Sequence, residues 1–229
     1  MASVLRCSHL NRALELKGGF MVYKKENWKA RIAQRSDITC GLIHLTRENN
    51  IDSAIRVLIK ILLEQRLIGS TTSSGFIVGN TPAVCFQEAP MYSVAQNIYT
   101  EQEYRLQNPN SKTRYTACGI QIEKCHVFKS GGRPVIYEKT DIAKQMLPSS
   151  EYWRIVNFDL EHDESIIDWT HEREWRVPGD FEFSLSDVTV LLPNSSLYKK
   201  FLSICEERDG LRHIPKEIRG ITHMGSVFY

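Results

Sequence analysis

The segment WTHEREWRVPGD, Trp169 to Asp180, decides how the chain is read. In a strand its side chains alternate faces. Glu172, Glu174 and Arg176 then share one face, and Arg173, Trp175 and Val177 share the other. Two carboxylates on one face repel unless a cation or a reacting group lies between them. A solvated edge strand, whose charges discourage edge-to-edge pairing, is one explanation. A strand carrying a reactive site is the other. Pro178-Gly179-Asp180 stops the element in either case.

Upstream, DITCGLIHLT (Asp37 to Thr46) reads as a strand that ends in His44. Asn50 is placed to cap a helix over residues 51–66, where Ile51, Ala54, Ile55, Leu58, Ile61 and Leu62 recur at helical spacing. AVCFQEAP (Ala83 to Pro90) is a buried strand stopped by Pro90, and Met91 to Leu106 is a second helix. NPNSK (Asn108 to Lys112) is a turn-rich loop. Strands are then expected at Tyr115–Lys124, Ser130–Glu138, Tyr152–Leu160, His171–Val177 and Asp187–Pro193, with a short helix at Asp141–Leu147. An amphipathic helix follows at Ser195–Gly210, and a last strand at Gly225–Tyr229. Helices gather early and strands late, so the expected class is α+β with a mixed or antiparallel sheet. The expected organisation is one domain over 1–229: a basic helical arm at 1–36, a core at 37–192, and a C-terminal helix and tail at 193–229.

The 229 residues can bury a sizeable core, and 42% hydrophobic with 24% charged residues is ordinary for a globular chain. A net charge of +2, from 29 basic and 27 acidic residues, neither demands nor excludes a nucleic-acid partner. Lys24, Lys25, Lys29, Arg31 and Arg35 interleave with Tyr23 and Trp28, either as a solvated face or as a single-strand contact. The longest apolar run, Val57 to Leu63, is far short of a membrane span and contains Lys60. With no signal-like N-terminus, a cytoplasmic protein without a membrane partner is expected. The cysteine spacings match no zinc pattern, so no metal is expected. Dinucleotide, P-loop, HExxH and GxSxG signatures are all absent.

Three segments taken together carry a resemblance: CGLIHLTRENN followed by a helix, then AVCFQEAPMYSV, then EREWRVPGD. In order and spacing, over roughly residues 38–192, they resemble bacterial proteins of the ADP-ribosyltransferase fold. The nearest groups are AbiGi-like abortive-infection proteins and, more remotely, DarT-type nucleic-acid ADP-ribosyltransferases. The resemblance implies a split mixed β-sheet around a cleft for NAD+, flanked by helices. It implies that His44, with Thr46 beside it, meets the NAD ribose. It also implies that Phe86, Gln87 and Glu88 lie on the nicotinamide side, although Gln87 stands where closer relatives often carry Thr or Ser. Glu174 becomes the catalytic carboxylate and Glu172 its helper. The implied activity is an NAD+-dependent mono-ADP-ribosyltransferase, a toxin or anti-phage effector. The acceptor it implies is a base in RNA or single-stranded DNA, and the partner it implies is a cognate antitoxin or chaperone protein. A protein acceptor, NAD+ hydrolysis, or an inactive antitoxin or phage-sensing module are the alternatives.

The chemistry explains the residue types. Breaking the nicotinamide–ribose bond makes C1′ electron-poor, and a carboxylate on a rigid strand stabilises that charge. Arg173 or Arg176 would keep Glu174 ionised or clamp the pyrophosphate; alternation favours Arg176 for the first task. Arg154 is a second pyrophosphate candidate. Phe86, Tyr92 and Tyr137 are candidates to stack on nicotinamide. Trp175, on the opposite face from the glutamates, is assigned to the core.

Overall fold

The computed structural model describes residues 15–17, 20–47, 51–74, 76–111 and 114–228. Asn50 and residues 1–14 therefore lie outside the described residues, as does the end of the tail at Tyr229. The chain divides into two compact units, residues 1–36 and 37–229. In the first, Glu15–Lys17 and Phe20–Val22 pair as an antiparallel hairpin before a helix at Lys25–Ala33. Glu26 in its first turn and Arg31 in its last complement the helix dipole. The Arg31 guanidinium lies 5.3 Å from the centre of the Tyr23 ring, so this part of the basic-aromatic stretch is engaged within its own unit.

The second unit is built on a seven-stranded mixed sheet. Its strands in chain order are β1 (Gly41–Leu45), β2 (Ala83–Gln87), β3 (Gly119–Glu123), β4 (Arg133–Pro134), β5 (Glu174–Pro178), β6 (Thr189–Leu192) and β7 (Gly220–His223). They lie side by side as β7-β6-β3-β1-β2-β5-β4. β6 and β7 run parallel, and the other neighbours are antiparallel. Helices flank the sheet, making the unit α+β. Among the described residues no helix is long and apolar enough to cross a membrane.

Alternation on these strands sorts the core into two layers. Leu42, Val84, Phe86, Ile120, Ile122, Val177, Val190 and Leu192 form one face. It is covered by α1 (Ile51–Glu64) through Ala54, Ile55, Leu58, Ile59 and Leu62, and by the Ser195–Glu207 helix through Phe201 and Cys205. Ile43, Leu45 and Leu191 face the other way, against Val94, Ala95 and Ile98 of α2 (Met91–Gln107). Each such fully buried aliphatic side chain contributes about 1.5–3 kcal/mol, so both faces hold the sheet in place. A third, smaller cluster of Ile77, Ala83 and Trp153 lies beside the second layer.

β1 and β3 approach closely at Gly119. A Cβ there would sit 2.1 Å from the His44 carbonyl oxygen, a backbone atom that cannot step aside. Gly119→Ala is therefore expected to cost about 1–3 kcal/mol by forcing the two central strands apart, measured by urea denaturation.

Several expectations need correction. The segment at Tyr152 is not a strand: Ser149–Arg154 is a 3-10 helix, and only Ile155–Asn157 is extended, pairing with Ile136–Glu138. Lys124–Lys129 is a short helix. The closing strand is Gly220–His223, and Gly225–Phe228 is helical. The Pro178-Gly179-Asp180 stop is a tie point. Gly179 takes φ 75, and the Asp180 carboxylate accepts the Gly69 N–H at 2.9 Å.

Candidate functional site

The Trp169–Asp180 segment is not one continuous strand. Thr170–Glu172 is a 3-10 turn, opened by the Asp168 carboxylate, which accepts the Thr170 N–H at 2.8 Å and its hydroxyl at 2.6 Å. Arg173 then takes the left-handed conformation at φ 46, uncommon for a residue with a side chain. Three bonds hold it there. Its N–H reaches Thr170 at 3.1 Å, its carbonyl accepts the Glu88 N–H at 3.1 Å, and its guanidinium donates to the Asp37 carbonyl. Only from Glu174 does the chain become a strand. Glu172 thus reaches the side of Glu174 through a turn, and not by strand alternation.

β5 is no solvated edge. It pairs along its length with β2, setting Glu174 opposite Gln87 and Arg176 opposite Cys85, and β4 covers part of its other side. Glu174 and Arg176 are 7% and 3% exposed. They form a two-pronged ion pair, Nε to Oε1 at 2.8 Å and Nη2 to Oε2 at 3.2 Å. The remaining guanidinium donors reach the carbonyls of Trp153 at 2.8 Å, Ile155 at 3.0 Å and Phe76 at 3.2 Å. All five donors of the guanidinium are spent. Arg176 therefore fixes the Glu174 carboxylate and has nothing left for a pyrophosphate, which corrects its assignment as a phosphate ligand. Burial works against its charge, but the Glu174 carboxylate more than compensates and raises its pKa. A carboxylate offers about four lone-pair positions, so Glu174 keeps acceptor capacity after binding Arg176.

That capacity faces a cavity of about 380 Å³. Glu172, Glu174 and Cys85 line it, with Arg47 and Arg114 as its cations. Phe76, Tyr104, Tyr115 and Trp169 supply aromatic walls, and Ser111 and Val156 complete the lining. The Arg114 guanidinium stacks 4.3 Å from the centre of the Trp169 ring, and Arg47 lies 5.8 Å from that of Phe76. Burial, then the Glu174 charge, pushes the Glu172 carboxyl up to about 7, against the pull of Arg47, Arg114 and Arg176. Burial and Glu174 also raise the pKa of the Cys85 thiol, which makes it a poor nucleophile.

The other anticipated residues are dispersed. Because Ile43 pairs with Gln87, and Gln87 with Glu174, these three share a face and His44 lies on the other. There His44 meets the edge of Phe86 at 5.9 Å and donates from Nδ1 to the Cys85 carbonyl at 2.8 Å. His44 and Phe86 are thus corrected to core positions. Glu88 accepts the Trp175 indole N–H at 2.6 Å and pairs with Lys124, a structural bridge on that same face. Thr46 donates to the Cys118 carbonyl at 3.1 Å. Tyr92 is 60% exposed on α2 and does not line the cavity. Arg154 is engaged by Glu151 at 3.1 Å and the Pro134 carbonyl at 3.2 Å. None of these four is placed for the NAD contacts expected of it. Gln87 stays beside Glu174, buried across the strand pair. Tyr137 is also adjacent, its hydroxyl oxygen accepting the Glu174 N–H at 2.8 Å; burial raises its pKa to about 12.

Arg47, Arg114, Trp169, Tyr104 and Phe76 are among the cavity residues sequence reasoning missed. Arg47 directly follows Thr46, and Trp169 begins the opening segment, so both were within view. Arg114 follows a turn-rich loop and carries no local signal.

Two buried groups act oppositely on stability. The fold favours protonated Glu172, whose pKa rises from 4.5 to about 7, so stability is lost as pH rises through that window. It favours neutral His44, whose pKa falls from 6.5 to about 4 through burial, so stability is gained between those values. Each is worth about 2 kcal/mol after discounting for solvent screening. Glu172→Gln is therefore expected to unmask a profile that rises with pH between 4.5 and 6.5, and His44→Gln one that falls. Urea denaturation at both ends of the window checks each sign.

Comparison of the chain with known protein families, with curated proteins and with solved structures finds no match to any of them.

Proposed function

We propose that the cavity binds NAD+ and that the chain transfers ADP-ribose from it to an acceptor. The observation that carries this reading is the pairing of one fixed carboxylate, Glu174, with a second, protonatable one, Glu172, in a cavity holding two arginines and four aromatic rings. Its volume suits a substantial part of a nucleotide ligand. Arg47 and Arg114 suit bidentate pyrophosphate binding, a task the sequence had pointed to Arg154 and Arg176 for. Trp169, Tyr104 and Phe76 offer faces for a planar ring.

Glu174 is the catalytic residue in this reading. As the bond from nicotinamide nitrogen to ribose C1′ breaks, the electron pair leaves with nicotinamide and positive charge develops at C1′. A carboxylate already oriented by Arg176 stabilises that charge without having to reorganise. The acceptor's nucleophile then bonds to C1′ and gives its proton to Glu172, whose raised pKa suits a proton acceptor near neutral pH. A base in RNA or single-stranded DNA is the proposed acceptor, and an anti-phage effector the proposed setting; both rest on the sequence resemblance.

The test is incubation of the purified chain with NAD+ labelled in its ADP-ribose portion, separately with RNA, single-stranded DNA and cell lysate. Nicotinamide release and label on one acceptor class are expected. Release without labelling would make the chain an NAD+ hydrolase. No release in any mixture, with NAD+ raising only the melting temperature, would make it a binding module.

A further inference from the structure

A second cavity, of about 390 Å³, shares no lining residue with the one that holds the two carboxylates. One wall is the Gly79-Asn80-Thr81 loop. The other is Ser149, Ser150 and Tyr152 of the 3-10 helix, with Lys144 from the Thr140–Met146 helix. The walls stand close because of one glycine. Gly79 takes φ 86, and a Cβ there would sit 2.9 Å from the Tyr152 Cβ. A side chain at this position would push the loop off the 3-10 helix. The Tyr152 hydroxyl donates to the Lys144 carbonyl at 3.0 Å, which ties down the backbone that carries the ammonium.

The charge of the lining is one-sided. Among the described residues it holds one cation, Lys144, one ring, that of Tyr152, and no carboxylate. Lys144 forms no ion pair among the described residues; its ammonium lies 5.9 Å from the centre of the Tyr152 ring. Glu151, between Ser150 and Tyr152 in the chain, is held by Arg154 at 3.1 Å. Asn80, Thr81, Ser149 and Ser150 make no side-chain hydrogen bond among the described residues, and none of the four is buried. Their polar groups are therefore open to a ligand that enters from solvent.

That donor set selects the ligand's chemistry. An ammonium beside hydroxyls favours an anion, and charge-assisted bonds are the strong ones. A carboxylate has two oxygens to offer them. A phosphate monoester has three terminal oxygens and a charge of about −1.5 to −2 at neutral pH, so it uses more of the donors. The volume leaves room beside the phosphate. Tyr152 has its hydroxyl spent and Lys144 near its ring, so the lining offers a nucleobase little to stack on. Asn80 and Thr81 both donate and accept, which suits hydroxyl groups.

We infer that this cavity binds the phosphate monoester of a sugar. Lys144, Ser149 and Ser150 take the phosphate, and Asn80 and Thr81 take the sugar hydroxyls. The site is separate from the NAD+ reading and stands or falls without it.

Ligand-observed NMR on the full chain tests the site with three probes: ribose, inorganic phosphate and the phosphate monoester of ribose. The ester is expected to bind at least about tenfold more tightly than ribose, the worth of one charge-assisted contact. It should also bind more tightly than inorganic phosphate, which leaves Asn80 and Thr81 unused. Lys144→Met and the double variant Ser149→Ala, Ser150→Ala are each expected to weaken the ester severalfold, and Lys144→Arg to retain it. None of these side chains is buried, so thermal melts should stay unchanged. Arg114→Gln, in the carboxylate cavity, should leave ester binding as it was. No binding of the ester, equal binding of ribose or of inorganic phosphate, or indifference to Lys144→Met would overturn the site. Loss of the ester in Arg114→Gln alone would also overturn it, by placing the phosphate in the carboxylate cavity.

Discussion

Glu174→Gln is expected to lower nicotinamide release from NAD+ by roughly a hundred- to a thousandfold, the usual loss when one preorganised electrostatic group is removed. The amide keeps the shape of the side chain and one acceptor oxygen for the Arg176 fork, but not the charge proposed to face C1′. The loss should appear in kcat and leave the affinity for ADP-ribose nearly unchanged, because the proposed ADP-ribose ligands are Arg47 and Arg114. Glu172→Gln should behave differently: label transfer to the acceptor falls more than nicotinamide release does, since the proposed role of Glu172 is to take the acceptor's proton. A Glu174→Gln chain that is folded and still turns over NAD+ at the original rate would remove Glu174 from the chemistry. Melting curves recorded on the same samples separate lost catalysis from lost structure.

Arg176→Met is expected to cost about 3–5 kcal/mol of stability, the range for breaking a buried ion pair on one side. The methionine fills similar space but leaves Glu174 uncompensated and removes donors from the carbonyls of Phe76, Trp153 and Ile155. The single variant should be less stable than the double variant Arg176→Met, Glu174→Gln, because the second change removes the stranded charge. Arg176→Lys should also lose stability, since one ammonium cannot serve a carboxylate and three carbonyls arranged around a planar fork. Urea denaturation at pH 7 measures all three. A loss below about 1 kcal/mol in the methionine variant would place the pair among weak, solvent-screened contacts.

Much of the scaffold was legible because its signals are local. The helical spacing of Ile51 to Leu62 locates α1 within two residues of its observed end. Pro90 stops the strand that becomes β2, and Asn194 caps the Ser195–Glu207 helix by accepting the Leu197 N–H. The failures are nonlocal. Gly220–His223 carries little apolar pattern and becomes a strand through parallel pairing with β6, whose residues pair with positions 31 further along the chain. Its side chains alone could not announce that pairing.

The site shows the same division. Glu174 and Arg176 lie two apart on a true strand, and alternation puts them on one face. Glu172 shares the cavity of Glu174 through the left-handed backbone at Arg173, which no periodicity anticipates. His44 was misplaced for a different reason. Counting along one strand gives parity but not which parity faces which layer; that requires the register linking Ile43, Gln87 and Glu174. Arg47 and Arg114 come from loop positions whose distance from Glu174 depends on the whole assembled sheet.

The Arg176 fork spans long stretches of chain: the backbone oxygens it grips lie 100, 23 and 21 positions away. Closing loops of that size is entropically uphill until the surrounding layers have already docked. The fork should accordingly snap shut late in folding, and amide hydrogens near Trp153 and Ile155 should gain exchange protection after those of the central strands. Maturation of the carboxylate's orientation would then act as a checkpoint, keeping the proposed chemistry silent in a half-assembled chain.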